Sequence, residues 1–280
     1  MQTKIPEALA SQVSQTKWGK ILLATPVVMT VIATLLAGLA SSEMTRAQYD
    51  RALGAQLQSK AGDQWSYFQA KKLRGAMQQN SLELLAATAD VRPIANPALE
   101  TVPAPAALSL DSKVEAALQA IDKQRPETEI AGLLKSVDDQ ALAAALQAAK
   151  DNALAFDAAN APAGQALDQL EKSLPAGDKA AARDLTAARM RYNAARYDAE
   201  ARVNQSIANL YELQVRKANI SAERHHRRSG KFFFGMLAAQ AAVIVSTFAI
   251  AAQKRSFLWL LAAGAGLAAV IFAIYVYLRV

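Results

Sequence analysis

The chain alternates between long uncharged runs and stretches whose apolar residues recur at steps of three and four. The uncharged runs are Ile21 to Ala40, Phe232 to Gln253 and Phe257 to Leu278. They are bounded by Lys20 and Glu43, by Lys231 and Lys254, and by Arg255 and Arg279. A helix rises 1.5 Å per residue, so about 20 apolar residues cross a bilayer, and all three runs are long enough. For the first run the competing reading is a cleaved leader, against which stand its length and the twenty residues before it. For the other two it is a buried core helix, which two adjacent 22-residue runs make a poor account. The loop Gln253-Lys254-Arg255-Ser256 permits only an antiparallel turn, so these two form a hairpin.

Between the runs, helical periodicity dominates. Met44 to Ala87 holds no proline, and Leu57, Ala61, Trp65 and Phe68 fall on one stripe, continued on a neighbouring line by Leu73, Met77 and Leu84. A second long run begins at Asp178, an N-cap after Pro175-Ala176-Gly177, and carries Leu185, Ala188, Tyr192, Ala195, Ala199, Val203, Ile207 and Leu210. The spacings drift between heptad and 3.6-residue patterns, so a strict zipper is not demanded. Two arms of about 45 residues pairing as an antiparallel stalk would extend roughly 65 to 70 Å. Pro93, Pro97, Pro103 and Pro105 mark an extended linker. Beyond it, Leu110 to Lys123, Glu127 to Asn160 with a break near Asp138-Asp139, and Ala163 to Leu174 read as separate helices of an alanine-rich cap.

The expected fold is an all-α membrane protein, with three transmembrane helices, a long coiled-coil-like antiparallel stalk and a small helical cap. Its segments are an N-terminal tail 1–20, transmembrane helix 21–40, first stalk helix 41–88, Pro-rich linker 89–109, cap 110–176, second stalk helix 177–231, and transmembrane helices 232–253 and 257–278.

Composition narrows the chemistry. The absence of cysteine excludes a disulfide framework, a zinc finger and thiol chemistry. Few glycines and few β-branched or aromatic residues argue against a sandwich, barrel or Rossmann sheet. The net charge of +7 is not a nucleic-acid signature: residues 1–40 contribute +2 and 231–280 contribute +4, whereas 41–230 carry only +1. A nucleic-acid binder concentrates its excess on the soluble part. No phosphate loop, dinucleotide fingerprint, nucleophile elbow or HExxH is present. His225 and His226 are adjacent, so on a helix they diverge by about 100° and read as part of a basic flank rather than a chelate. Glu127 with Glu129, and Asp138 with Asp139, read as solvated caps. Asn204-Gln205-Ser206 and Asn219-Ile220-Ser221 match a glycosylation pattern too short to decide anything. No enzyme, metal or cofactor is expected.

The candidate functional residues concern membranes and packing. Arg224, Arg227, Arg228 and Lys231 precede Phe232-Phe233-Phe234, a cationic flank suited to anionic lipid headgroups, and Trp18 and Trp259 mark the opposite interface. Gly235, Gly264 and Gly266 permit close approach of membrane helices, and Gln240 reads as an interhelical hydrogen-bonding group. Trp65, Tyr67, Phe68, Tyr192, Ile207 and Leu210 are expected in stalk or partner packing. Ten positive charges near the spans on the side of the middle region, against five on the other, favour a cytoplasmic middle region.

Two segments carry a resemblance. Asp63-Gln64-Trp65-Ser66-Tyr67-Phe68-Gln69-Ala70-Lys71 is similar to a DQWxYYQAK signature, with Phe68 in place of the usual Tyr. Arg224 to Ser229, followed by Phe232 to Gln240, resembles the basic flank and hairpin that accompany it. Both point to the bacterial membrane-protein family catalogued as domain of unknown function 4337. That resemblance implies a bacterial inner-membrane location and brings no reaction with it; no motif is placed in residues 90 to 176. Trp65, Tyr67 and Phe68 cover more than one face of a helix, and packing within the stalk is the preferred account of all three.

The functional expectation is a non-enzymatic, membrane-anchored scaffold or adaptor in the inner membrane. Its partners would be the lipid bilayer with anionic headgroups, further copies of the chain and an unidentified protein, with no nucleic acid. The alternatives are an oligomeric channel, hinted at by Pro26 with Thr25, Thr30 and Thr34, and then a signalling receptor.

Overall fold

The protein is described by a computed structural model covering residues 17–251 and 257–279. Among the described residues, seven helices occur in chain order: α1 (Lys17–Thr88), α2 (Pro97–Glu100), α3 (Ser112–Asp122), α4 (Glu127–Leu134), α5 (Asp139–Ser173), α6 (Lys179–Ala251) and α7 (Phe257–Arg279). No strand occurs among the described residues. The all-helical expectation is met. Two helices, α1 and α6, contain stretches long and apolar enough to cross a membrane, and Leu260–Val276 of α7 is a shorter apolar stretch.

The turns show why the helices end where they do. Asp138 caps α5 by accepting from the Gln140 N–H (3.2 Å), and Asp178 caps α6 by accepting from the Ala181 N–H (2.9 Å). The connection into α6 is a tight turn in which the Asp178 N–H donates to the Pro175 carbonyl (3.2 Å). Gly177 there has a φ of 90°, a conformation that a side chain would strain.

Two compact units emerge, residues 1–51 with 220–280, and residues 52–219. In the first, α1, α6 and α7 pack through alanines and a few larger apolar residues. Ala33, Ala239 and Ala269 form one cluster; Leu36, Ala40, Phe232 and Val276 form another. Large apolar side chains point outward instead: Val27, Val31, Leu35, Phe234, Phe248, Leu260 and Leu267 are all more than half exposed.

In the second unit, α5 runs antiparallel along α6. Lys217 pairs with Asp139 (2.7 Å), Tyr192 bonds Asn160 and Arg189 bonds Glu171 (2.7 Å). Asn209 of α6 donates to Asp122 of α3 (2.8 Å), and Arg216 pairs with Glu127 of α4. The alanine-rich segment thus flanks the second arm from Arg189 to Lys217. Its core holds Ala163, Leu167, Leu185 and Tyr192, with Ile94, Leu99 and Val102 packed against them.

Three details depart from the sequence reading. The break expected between Asn160 and Ala163 does not occur, because α5 runs through Pro162. A proline inside a helix costs about 3 kcal/mol. Burial of Ala163 and Leu167 on the same face as Phe156 and Asn160 offsets that cost. The linker 89–109 is not free: it holds α2, capped by Asn96, and is tied by the Arg92 N–H to Asp184 (3.1 Å) and by a reciprocal pair between Ala106 and Asn152. Finally, Leu73, Met77 and Leu84 are exposed. The buried line of α1 instead passes through Lys71, Gly75, Gln78, Leu82 and Leu85. At Gly75 a Cβ would sit 3.5 Å from the Ala194 carbonyl oxygen, so the arms approach closely there.

Candidate functional site

From Met29 to Leu85, α1 presents a residue to its neighbours at strictly alternating steps of four and three: 29, 33, 36, 40, 43, 47, 50, 54, 57, 61, 64, 68, 71, 75, 78, 82 and 85 are all buried or half-buried. A heptad line of this kind keeps one face toward one partner helix. Most positions are small or apolar. The exceptions are Glu43, Asp50, Gln64, Lys71 and Gln78; Glu43 and Asp50 belong to one polar centre and Lys71 to another.

The first centre lies in the unit of residues 1–51 and 220–280. Glu43 is 8% exposed. One of its oxygens lies 2.5 Å from His225 Nδ1 and the other 3.5 Å from an Arg228 guanidinium nitrogen. The Nε2 of the same imidazole faces the Asp50 carboxylate at 4.0 Å. One turn on, the Ser229 hydroxyl donates to the Ala40 carbonyl (2.7 Å). His225 and Arg228 are three residues apart on α6, and Glu43 and Asp50 seven apart on α1, so each pair shares a face.

The basic flank is therefore divided. Arg228 turns inward to Glu43, which corrects its assignment to lipid contact: its position three residues from His225 puts it on the buried face. Arg227 donates to Glu223 (2.7 Å), and this contact holds the exposed Glu223 carboxyl below the usual carboxylate range. Arg224 is exposed, and Lys231 lies 5.8 Å from the Tyr275 ring. The side chains of Trp18 and Trp259 lie outside the described residues.

Of the four packing positions, two are placed in contacts. A Cβ at Gly235 would meet Leu36 at 3.4 Å, and one at Gly266 would meet the Met29 sulfur at 2.6 Å. Gly264 has open space around it and Gln240 is exposed, so neither packs against another helix of this chain. The buried lines run through Ala239 and Ala242 on α6, and through Ala262, Gly266 and Ala269 on α7. One or two residues off such a line is a rotation of 100° or 200°. The Thr30 and Thr34 hydroxyls bond back to carbonyls of their own helix, at 2.8 and 2.9 Å.

The second centre lies in the unit of residues 52–219 and is built on the DQW segment. Trp65 donates from its indole to Glu212 (2.7 Å) and meets Phe68 edge-on at 5.4 Å. Lys71 pairs with Glu200, whose other oxygen lies 3.1 Å from Arg196, and both cations lie 5.2 Å from the Tyr197 ring. Lys72 binds Asp198 at 2.5 Å. That hydrogen bond, with a second from Arg202, holds the Asp198 carboxyl below its usual range. Tyr67 does not join the α1–α6 packing. It is exposed and lines a cleft of about 200 Å³ with Phe156, Asp157 and Asn204, because position 67 is rotated 200° from Trp65. Tyr192, Ile207 and Leu210 are buried as expected, and the Tyr192 hydroxyl donates to Asn160 at 2.6 Å.

The family described as "Domain of unknown function (DUF4337)" has a model that matches residues 21–168, more than half of the chain. The chain belongs to that family. The match takes in the first uncharged run, the DQW segment and the alanine-rich region through most of α5, including residues where no motif was recognised. The basic flank and hairpin, which carried the second half of the resemblance, lie beyond it. No curated protein and no solved structure matches the chain.

Glu43, Asp50, Glu200 and Glu212 were missed in the sequence reading. The signal for the first two was the strict step of three and four from Leu36 through Ala40, Glu43, Ala47, Asp50 and Gly54. Glu200 and Glu212 had no comparable signal, since only tertiary pairing brings them to Lys71 and Trp65.

Proposed function

We propose that the protein is a membrane-anchored helical scaffold or adaptor, non-enzymatic and self-associating, with α1, α6 and α7 each crossing the bilayer. The arms of α1 and α6 would pair as a coiled coil on the cytoplasmic side of a bacterial inner membrane. The observation that carries this reading is the inverted packing of the first unit. Alanine and glycine make up most of its interior, with Leu36, Phe232 and Val276 the large buried apolar residues, while Val27, Val31, Leu35, Phe234, Phe248, Leu260 and Leu267 face outward. In water such a surface is costly, at about 25 cal/mol per Å² of exposed apolar area. In lipid the cost vanishes and small interior residues let helices approach. The heptad line of α1 supports a rigid arm, and Arg224 and Lys231 supply charge for anionic headgroups.

The test has two parts. The full chain expressed in a bacterium should stay with the membrane through alkaline carbonate extraction, and reporter fusions near Ala104 should read a cytoplasmic location. The detergent-solubilised protein should exceed monomer mass by light scattering. Release into the carbonate supernatant overturns the anchoring; a strict monomer, with nothing recovered after cross-linking in cells, overturns the scaffold.

A further inference from the structure

Two lines of residues run along the uncharged run of α6. Phe232, Gly235, Ala239, Ala242, Ser246 and Ala249, at alternating steps of three and four, are all buried. Phe233, Leu237, Gln240, Ile244 and Thr247, at alternating steps of four and three, are all exposed and lie on the opposite side of the helix. A regular line of this kind can meet a second helix over several turns. Polar groups along the two lines are treated unequally. The Ser246 and Thr247 hydroxyls both donate to the Val243 carbonyl (2.9 and 2.8 Å), as Thr30 and Thr34 on α1 donate within their own helix. The Gln240 carboxamide, with two N–H donors and a carbonyl acceptor, has no hydrogen-bond partner among the described residues. It stands about 12 Å inside the Phe232 end of the run and about 20 Å from the Gln253 end, at 1.5 Å per residue. That is too deep for so short a side chain to reach the headgroups. In hydrocarbon neither water nor lipid tails can supply the missing bonds.

We infer that Gln240 of one copy hydrogen-bonds Gln240 of a second copy, and that the outward line of α6 is the interface between them. The contact rests on the reading that α6 crosses a bilayer and the chain self-associates, and it names the residue through which the copies meet. Symmetry and charge choose the occupant. Copies of one chain insert in the same sense, so Gln240 lies at the same depth in each. A two-fold axis along the membrane normal then sets each residue of the line against its own counterpart. A carboxamide is complementary in partial charge to itself: the N–H of each donates to the carbonyl of the other. The rest of the line is neutral, so no like charges meet, and the exposed Ala241 beside Gln240 leaves room for the backbones to approach.

The chain has no cysteine, so a single introduced thiol reports one position. In isolated membranes holding the full chain, copper–phenanthroline oxidation should give covalent dimers from Leu237→Cys and from Ile244→Cys, both on the outward line. Ala242→Cys, on the buried line, should give none. Adding Gln240→Leu, which keeps the bulk and removes the amide, should lower both dimer yields by about threefold or more, as loss of a hydrogen bond between membrane helices predicts. Adding Gln240→Asn instead should retain more dimer than Gln240→Leu. Carbonate extraction and light scattering of the same variants show which reading has failed. Protein released by carbonate, or strictly monomeric in detergent, overturns the proposed function and this contact with it. Protein that stays in the membrane and exceeds monomer mass overturns the Gln240 contact by itself under any of three results: no dimer from either outward position, equal yields from all three positions, or yields unchanged by Gln240→Leu.

Discussion

At the scale of single residues, buried polar atoms decide more than buried carbon. The Tyr192 hydroxyl is donated to Asn160, whose own amide donates to the Phe156 carbonyl at 2.7 Å, so one chain of hydrogen bonds joins α6 to α5. Burial is the main cause that pushes the Tyr192 phenol up, and it stays neutral and donating. Tyr192→Phe leaves the Asn160 oxygen without this donor. It should destabilise the fold by about 1 to 3 kcal/mol, read from thermal unfolding followed by helical circular dichroism. Asp198 behaves differently because it is partly open to water. Its carboxyl is held low by Lys72 and then by Arg202, so its contribution is complete above the ordinary carboxylate pKa of about 3.9 and is lost as pH falls through the lowered value. Solvent screening limits that contribution to at most about 1 kcal/mol. Asp198→Asn should flatten the acid limb of a stability–pH curve by that amount and leave the neutral region lower.

At the scale of elements, α5 is held against its own sequence. Pro162 removes a backbone donor in mid-helix, and neighbouring burial carries the chain through. Pro162→Ala should therefore stabilise the protein, by up to about 3 kcal/mol, with an upward shift of the thermal midpoint. An unchanged or lowered midpoint would mean that the proline bend is itself required by the packing of Ala163 and Leu167. The long helices follow the opposite logic. Along α1 a strict heptad line is kept even where it costs burial, with Gln64, Lys71 and Gln78 on the line and Leu73, Met77 and Leu84 left off it. Close approach at Gly75 and the ion pairs of Lys71 and Lys72 with α6 compensate.

At the scale of the whole molecule, the two units differ in the side chains they turn outward. The unit of residues 52–219 buries Leu, Ile, Val and Tyr together with alanine, and most of its charged side chains lie at its surface. The other buries mainly alanine, with Leu36, Phe232 and Val276, and exposes many leucine, valine and phenylalanine side chains. Val31 separates the two environments experimentally, since it is 55% exposed. On a surface facing water, Val31→Asp changes stability by no more than about 0.5 kcal/mol. At the centre of a membrane helix a charged residue costs about 2.5 to 3.5 kcal/mol on insertion scales. The expected outcome is a clear loss of membrane-integrated protein relative to Val31→Leu; equal recovery of the two variants would contradict a lipid-facing Val31.

The sequence alone determined that the chain is helical, where α1 and α6 begin to be apolar, and which turn opens α6. Those features rest on local chemistry: uncharged runs, alanine, and an Asp after Pro-Ala-Gly. It also carried the family, through a short aromatic segment. Tertiary structure decided which stripe of each helix is the seam, and so turned Leu73, Met77, Leu84, Gly264 and Gln240 outward while drawing Glu43, Asp50 and Lys71 in. The physical reason is that alanine and other apolar residues fall on several sides of these helices, which leaves each with several faces of comparable hydrophobicity. The choice among them is made by close backbone approach and by ion pairs whose partners lie more than a hundred residues away. His225 illustrates the difference: in sequence it belongs to a basic run, and in the fold it stands between two acids.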